Sequence, residues 1–206
     1  MKLNSYILLL SALLYGCACT SETQQQKDAN IKLSEITIEL QIPEEVIKKA
    51  DEIIINRTGD KFFRKYITLN LEKSREMQDA YYLSYNFKVP EKPFINEEIT
   101  LIVDKKGNPL PDFEIAGIPD CINDSCGFDV SKERALAIAE QAGMKKGIRE
   151  WDTNFEWDSA QNKYVWLIRS TLSESEGSNG KRGTGERILI DPNSGVVLSK
   201  TEWKVF

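Results

Sequence analysis

Histidine is missing from this 206-residue chain. Its absence removes the Ser-His-Asp and Cys-His routes to an activated nucleophile, the histidine-bearing zinc sites and the commonest general base near neutral pH. Basic charge is also in short supply. With 27 Lys and Arg against 32 Asp and Glu, the net charge is −5, the wrong sign for a nucleic-acid partner, so none is expected. Long apolar runs are missing beyond the first residues, so no later segment reads as a membrane span. Cysteine is sparse: four in all, two near the start and two in the middle. The remaining composition, 41% hydrophobic and 29% charged, is that of a globular protein.

What is present begins with an export pattern. Lys2 precedes an apolar run over 6–14 that stops at Gly16 and Cys17. The run is too short for a permanent span, which needs about 20 apolar residues, and its basic start and small-residue end fit a cleaved segment. Leu14-Tyr15-Gly16-Cys17 resembles the bacterial lipobox. That resemblance implies cleavage after residue 16 and lipidation of Cys17, with Cys19, preceded by Ala18, as a rival acceptor. Residues 20–30 are polar, with a Gln24-Gln25-Gln26 run, and too poor in apolar side chains to offset the entropy of ordering them. A flexible tether is expected over 17–33. The expected location is the bacterial cell envelope, facing the periplasm or the exterior, attached to the membrane through lipid.

The mature remainder, about 175 residues, is long enough to bury a real core. It reads as one pattern used twice. In the first copy, 34–118, Ile36, Ile38, Leu40 and Ile42 alternate with polar residues and predict a strand ended by Pro43. Val46, Ile47, Ala50, Ile53 and Ile54 recur at helical spacing behind Glu44 and Glu45, and Gly59 stops the helix. Strands are predicted over 62–71, 81–89 and 99–103, the last turning at Asp104-Lys105-Lys106-Gly107. In the second copy, 131–206, Ser131 reads as an N-cap for a helix running to Gly143. Strands follow over about 148–157, 163–172, 186–190 and 196–205. Ile99-Thr100-Leu101-Ile102-Val103-Asp104 with Gly107 aligns with Arg187-Ile188-Leu189-Ile190-Asp191 with Gly195, and Tyr82-Leu83-Ser84-Tyr85 with Tyr164-Val165-Trp166-Leu167.

The Ala-rich helix 135–143, Tyr164-Val165 and Ile190-Asp191-Pro192-Asn193-Ser194-Gly195-Val196-Val197-Leu198 resemble the PepSY family of exported domains, the second copy more closely than the first. The first copy has Lys105-Lys106 where the second has Pro192-Asn193-Ser194. The resemblance implies an α+β fold of two tandem helix-plus-antiparallel-sheet units. It also implies a non-catalytic role, binding and restraining a secreted or envelope peptidase; it brings no catalytic motif and no cofactor.

Between the copies, the segment 119–130 reads as a linker holding Cys121 and Cys126. In an oxidising envelope these two are expected to close a small loop as a disulfide, worth about 2 kcal/mol by loop-closure entropy. A redox pair would favour Cys-x-x-Cys, and a zinc site would need two further ligands that no histidine can supply.

Three other stretches carry candidate chemistry. The run 151–158 places Asp152, Asn154, Glu156 and Asp158 opposite Trp151, Phe155 and Trp157. It fails the EF-hand pattern at Trp157 and Lys163, where glycine and a bidentate glutamate are required, and reads instead as an alternating strand with an acidic outer face. A carboxylate-based hydrolase using Asp152 and Glu156 is the enzymatic alternative, and a purely structural envelope lipoprotein the other. The glycine-rich run 177–185 lacks the Walker spacing, and its Ser178-x-x-Lys181 pair lacks the helix start that this chemistry needs. It is expected to be a long mobile hairpin loop, with Ser178, Asn179, Lys181 and Arg182 touching a protein partner. Tyr81, Tyr82, Tyr85 and Phe87 are expected in core and cross-strand packing. Asp158-Ser159-Ala160 resembles a short O-glycan acceptor motif.

Overall fold

A computed structural model describes residues 42–113, 115–121, 126–177 and 180–205, all within the compact unit Glu39–Phe206. The expected signal segment, Cys17, the tether and most of the expected strand ending at Ile42 lie outside the described residues.

Helix α1 (Glu44–Thr58) buries Val46, Ala50, Ile54 and Thr58, spaced four apart along one face. The Thr58 hydroxyl satisfies itself by donating to the Ile54 carbonyl at 2.9 Å. Gly59, at φ 82°, ends the helix in a conformation that side chains resist. The chain then turns helical again as α2 (Asp60–Tyr66), which corrects the strand predicted from residue 62. Phe62, Phe63 and Tyr66 have strand-like propensity, but their spacing suits a helical face, and Asp60 and Arg64 pair across one turn at 2.9 Å. Phe62 packs on Tyr66 and Phe87 with ring centroids at 4.8 and 5.8 Å. Tertiary packing overrides local preference here.

The first sheet is built on β3 (Ala80–Lys88). β1 (Ile67–Leu69) and β2 (Arg75–Glu76) pair along one side of it, and β4 (Asn96–Asp104) pairs along the whole of the other. Across β3 and β4 the inward pairs are Tyr81 with Val103, Leu83 with Leu101, and Tyr85 with Ile99. The next inward pair breaks the apolar series: Phe87 faces Glu97.

Helix α3 (Lys132–Gln141) starts where Ser131 accepts the Arg134 N–H at 3.2 Å and buries Ala135 and Ala139 completely. The second sheet is an antiparallel meander in the order β5 (Asp152–Asp158), β6 (Lys163–Gly177), β7 (Gly180–Ile190), β8 (Val197–Val205). Residues 148–151, predicted as strand, precede β5 and are tied to β6 where the Ile148 N–H meets the Thr171 carbonyl at 2.8 Å and where Arg149 pairs with Glu174 at 2.7 Å. The α+β class is therefore established, with three helices and two antiparallel sheets among the described residues.

Inward-facing side chains of both sheets and buried residues of α1, α2 and α3 form one core. Its centre is aromatic. Tyr164 stacks on Phe155 with centroids 5.0 Å apart, and Phe128, Phe94 and Trp166 meet Phe155 edge-on. The polar ends of the two largest rings are satisfied by the chain between the sheets: Tyr164 Oη donates to the Gly117 carbonyl and Trp166 Nε1 to that of Val130, each at 2.8 Å. Ile118, Cys126, Phe128 and Val130 from that stretch are themselves buried. A smaller cluster of Val165, Leu167 and Leu189 lies on the other face of the second sheet.

Candidate functional site

A broad concavity begins at α3. Ala135 and Ala139 face the core, and Lys132, Glu133, Leu136, Ala137 and Glu140 form one wall of a cavity of about 800 Å³. The opposite wall is the segment 146–151 with Thr153 of β5. Three devices hold that segment in place. Glu186, buried on β7, accepts the Lys145 N–H at 2.8 Å and pairs with the ammonium groups of Lys145 and Lys200 at 3.1 and 3.7 Å. The Lys145 N–H, aided by the two lysines, holds the Glu186 carboxyl below the usual carboxylate range. Gly147 lies so close to β6 that a Cβ would stand 2.6 Å from the Thr171 carbonyl oxygen, and Trp151 Nε1 donates back to the Lys145 carbonyl at 3.1 Å.

The resulting groove has an apolar floor of Leu136, Ala137 and Trp151. Its rim alternates in sign, with Lys132, Lys146 and Arg149 against Glu133, Glu140 and Glu150. Beside it runs β5, which among the described residues is paired on one side only, with β6. A strand edge of this kind offers backbone N–H and C=O groups to an extended chain.

The residues singled out from sequence are scattered around this groove. Cys121 and Cys126 sit at disulfide distance, with Cα atoms 4.1 Å apart. Ser178 and Asn179 lie outside the described residues. Lys181 and Arg182 stand opposite Glu176 and Ser175 in the β6–β7 ladder, so the expected long loop is a paired β-hairpin in which strand register runs to Gly177 and Gly180. The glycines have a different use: Trp203 of β8 lies over β7, with ring carbons 3.4 Å from where a Gly183 Cβ would be and its indole nitrogen 2.5 Å from a Gly185 Cβ. Tyr81, Tyr85 and Phe87 are buried in the core as expected. Ser159 is exposed in the turn after β5.

The acidic strand is less simple than its alternation. Asp152 and Asn154 are exposed, but Glu156 is half-buried, and burial pushes its carboxyl upward while Arg169 opposes the shift. Glu97, unremarked in the sequence, occupies an inward register position on β4; burial and the charge of Glu156 raise it to about 7. Nearby, the Trp157 indole N–H is buried without a hydrogen-bond partner among the described residues. Alternation in 96–104 was the available signal for Glu97, since it shares a face with Ile99, Leu101 and Val103; its nearness to Glu156 is a tertiary fact.

Among the described residues no group of three or more Cys, Asp and Glu is arranged to hold a metal ion, and no helix is long and apolar enough to cross a membrane. Compared with family models, curated proteins and solved structures, the chain matches none.

Proposed function

We propose that this chain is a non-catalytic binding module of the bacterial cell envelope, anchored by lipid at Cys17, that seats an extended segment of a protein partner between α3 and the free edge of β5. The observation that carries the reading is the groove itself: an apolar floor, a rim of both signs, and alongside it a strand edge that no described residue pairs with. An extended polypeptide needs all three. Apolar side chains enter the floor, backbone groups meet the edge, and mixed charges select sequence. The resemblance to PepSY domains suggests the class of partner, a secreted or envelope peptidase held in check.

Ala137→Trp tests this directly, because Ala137 is a half-buried residue of the groove and not one of the core alanines, so the added indole fills the groove. The full chain selects extended peptides from a displayed library, and the substitution weakens the best of them by about tenfold or more. Unchanged affinity in Ala137→Trp would remove the groove from the reading.

One observation favours a second reading. Glu97 titrates near neutrality beside Glu156, the arrangement a carboxylate hydrolase requires of its acid. Hydrolysis of an envelope polymer that is lost in both Glu97→Gln and Glu156→Gln would replace the binding reading with this one.

A further inference from the structure

The second sheet has an unusual row of charge on the face away from the core. Arg169 and Arg187 stand directly opposite each other in the β6–β7 register, between Asp152 on β5 and Thr201 on β8. Both arginines are exposed. Like charges on opposed positions destabilise an antiparallel pair, and in a chain richer in acids than bases a carboxylate partner would be easy to supply. Among the described residues neither guanidinium has a carboxylate within ion-pair distance: Arg169 feels Asp152 opposite it and Glu156 further along β5 only through space, and Arg187 Nε donates to the Thr201 hydroxyl at 2.9 Å.

Beside the arginines lies a built aromatic wall. Trp203 Nε1 donates to the Ser170 carbonyl at 3.1 Å, which fixes the ring against the sheet. Gly185 makes that approach possible, since a Cβ there would stand 1.8 Å from the Ser170 oxygen and 2.5 Å from the indole nitrogen. Arg169, Arg187, Thr171, Trp203 and Asp152 share a cavity of about 350 Å³, whose margin is closed by Arg149. Arg149 also borders the groove along α3, so the two concavities are neighbours.

Charge placement selects the ligand. Arg149 is engaged by Glu174 at 2.7 Å, and Arg169 lies opposite Asp152 and near enough to Glu156 for each to feel the other's charge, which leaves Arg187, its Nε held by the Thr201 hydroxyl, as the one guanidinium of the pocket without an acid beside it among the described residues. That suits a monoanionic carboxylate better than a dianionic phosphate, and the overall charge of −5 works against a phosphate polymer. We infer that this pocket receives a carboxylate side chain from an acidic segment of a protein partner, with the paired guanidiniums on its oxygens and the Trp203 indole against its aliphatic stem. The inference shares with the proposed function only the class of partner, a polypeptide.

The test titrates the full chain with a fluorescent hexaglutamate peptide and with hexaglutamine as control, at low and raised salt. Hexaglutamate binds and hexaglutamine does not. Arg169→Gln with Arg187→Gln weakens binding by about tenfold or more, while the unfolding midpoint of the double variant stays level or rises because like-charge repulsion is relieved. Ala137→Trp leaves hexaglutamate binding unchanged. Three outcomes overturn the inference: equal binding by the double variant, a fall in its unfolding midpoint, which would make the arginines structural, or displacement of the peptide by inorganic phosphate at lower concentration than by free glutamate. Loss of binding in Ala137→Trp alone would place the acidic segment in the groove, sinking this site while the proposed function stood.

Discussion

The two sheets share one core and differ in what they do with arginine: both pair lysines with acids, but the second sheet also sets two arginines face to face. Around the first sheet three lysines sit in ion pairs, Lys65 with Glu91, Lys73 with Glu98, and Lys105 with Glu76, the last ammonium also lying 4.3 Å from the centre of the Tyr81 ring, while Arg75 lies over the Tyr82 ring at the same distance. Its one anomaly is an acid turned inward, Glu97. On the second sheet the outward face keeps Arg169 and Arg187 side by side with no ion pair to either among the described residues, and Trp203 bedded on glycine next to them. Matching charges at a surface contributes little stability but leaves nothing for a partner to neutralise, whereas an unmatched pair is a standing cost recovered on binding. On the proposed function, the first sheet serves as scaffold and the second as the presenting surface.

The sharpest challenge to this contrast is Gly185→Ala. With no space for a Cβ between the Ser170 oxygen and the indole, it is expected to destabilise by about 3 kcal/mol and to release Trp203, seen as a shift in tryptophan emission together with the loss in chemical denaturation. Full stability with unshifted emission would show that the indole is not fixed as described. Removing the clip between the sheets comes next: Cys121→Ser with Cys126→Ser should cost about 2 kcal/mol under oxidising conditions and nothing under reducing ones, measured by urea unfolding.

Glu97→Gln should act in the opposite direction. The folded-state carboxyl is raised from the ordinary 4.5 to about 7, so between those pH values the folded chain holds a proton that the unfolded chain has released. Stability therefore falls as pH rises through this window and levels off above it. The amide variant should be flatter over the window and more stable at pH 8, by about 1 kcal/mol once partial exposure is allowed for. A parallel pH dependence in variant and parent would show that Glu97 is not the group responsible. The smallest effect is expected on the scaffold rim, where Lys65→Met should leave the urea unfolding midpoint essentially unchanged, because the Lys65–Glu91 pair is largely exposed.

Periodicity made much of the scaffold readable in advance. The Val46 to Ile54 spacing and Gly59 predict α1 and its end, Ser131 predicts the start of α3, and the apolar runs of β3, β4 and β6 are visible because each must bury one or both faces. The misreadings share a cause. Residues 62–66 look like strand because phenylalanine and tyrosine favour sheets in isolation, yet Phe62 has Phe87 to pack on only once the chain coils. The glycines before Glu186 look like a loop because glycine has the freest backbone, yet Gly183 and Gly185 sit in a paired strand to admit a ring that arrives from β8. Neither the groove nor the arginine pair has a local signature, since each is assembled from elements far apart in the chain.

The amino-acid sequence by itself determined the class of fold, the histidine-free chemistry, the acidic balance and most helix and strand positions, because these follow from composition and from spacing over a few residues. Only the tertiary structure decided which charges meet: Glu97 beside Glu156, Arg169 opposite Arg187, and Lys145 with Lys200 on Glu186. Register and packing bring those groups together, and electrostatic energy depends on distance through space and on burial, neither of which separation along the chain records.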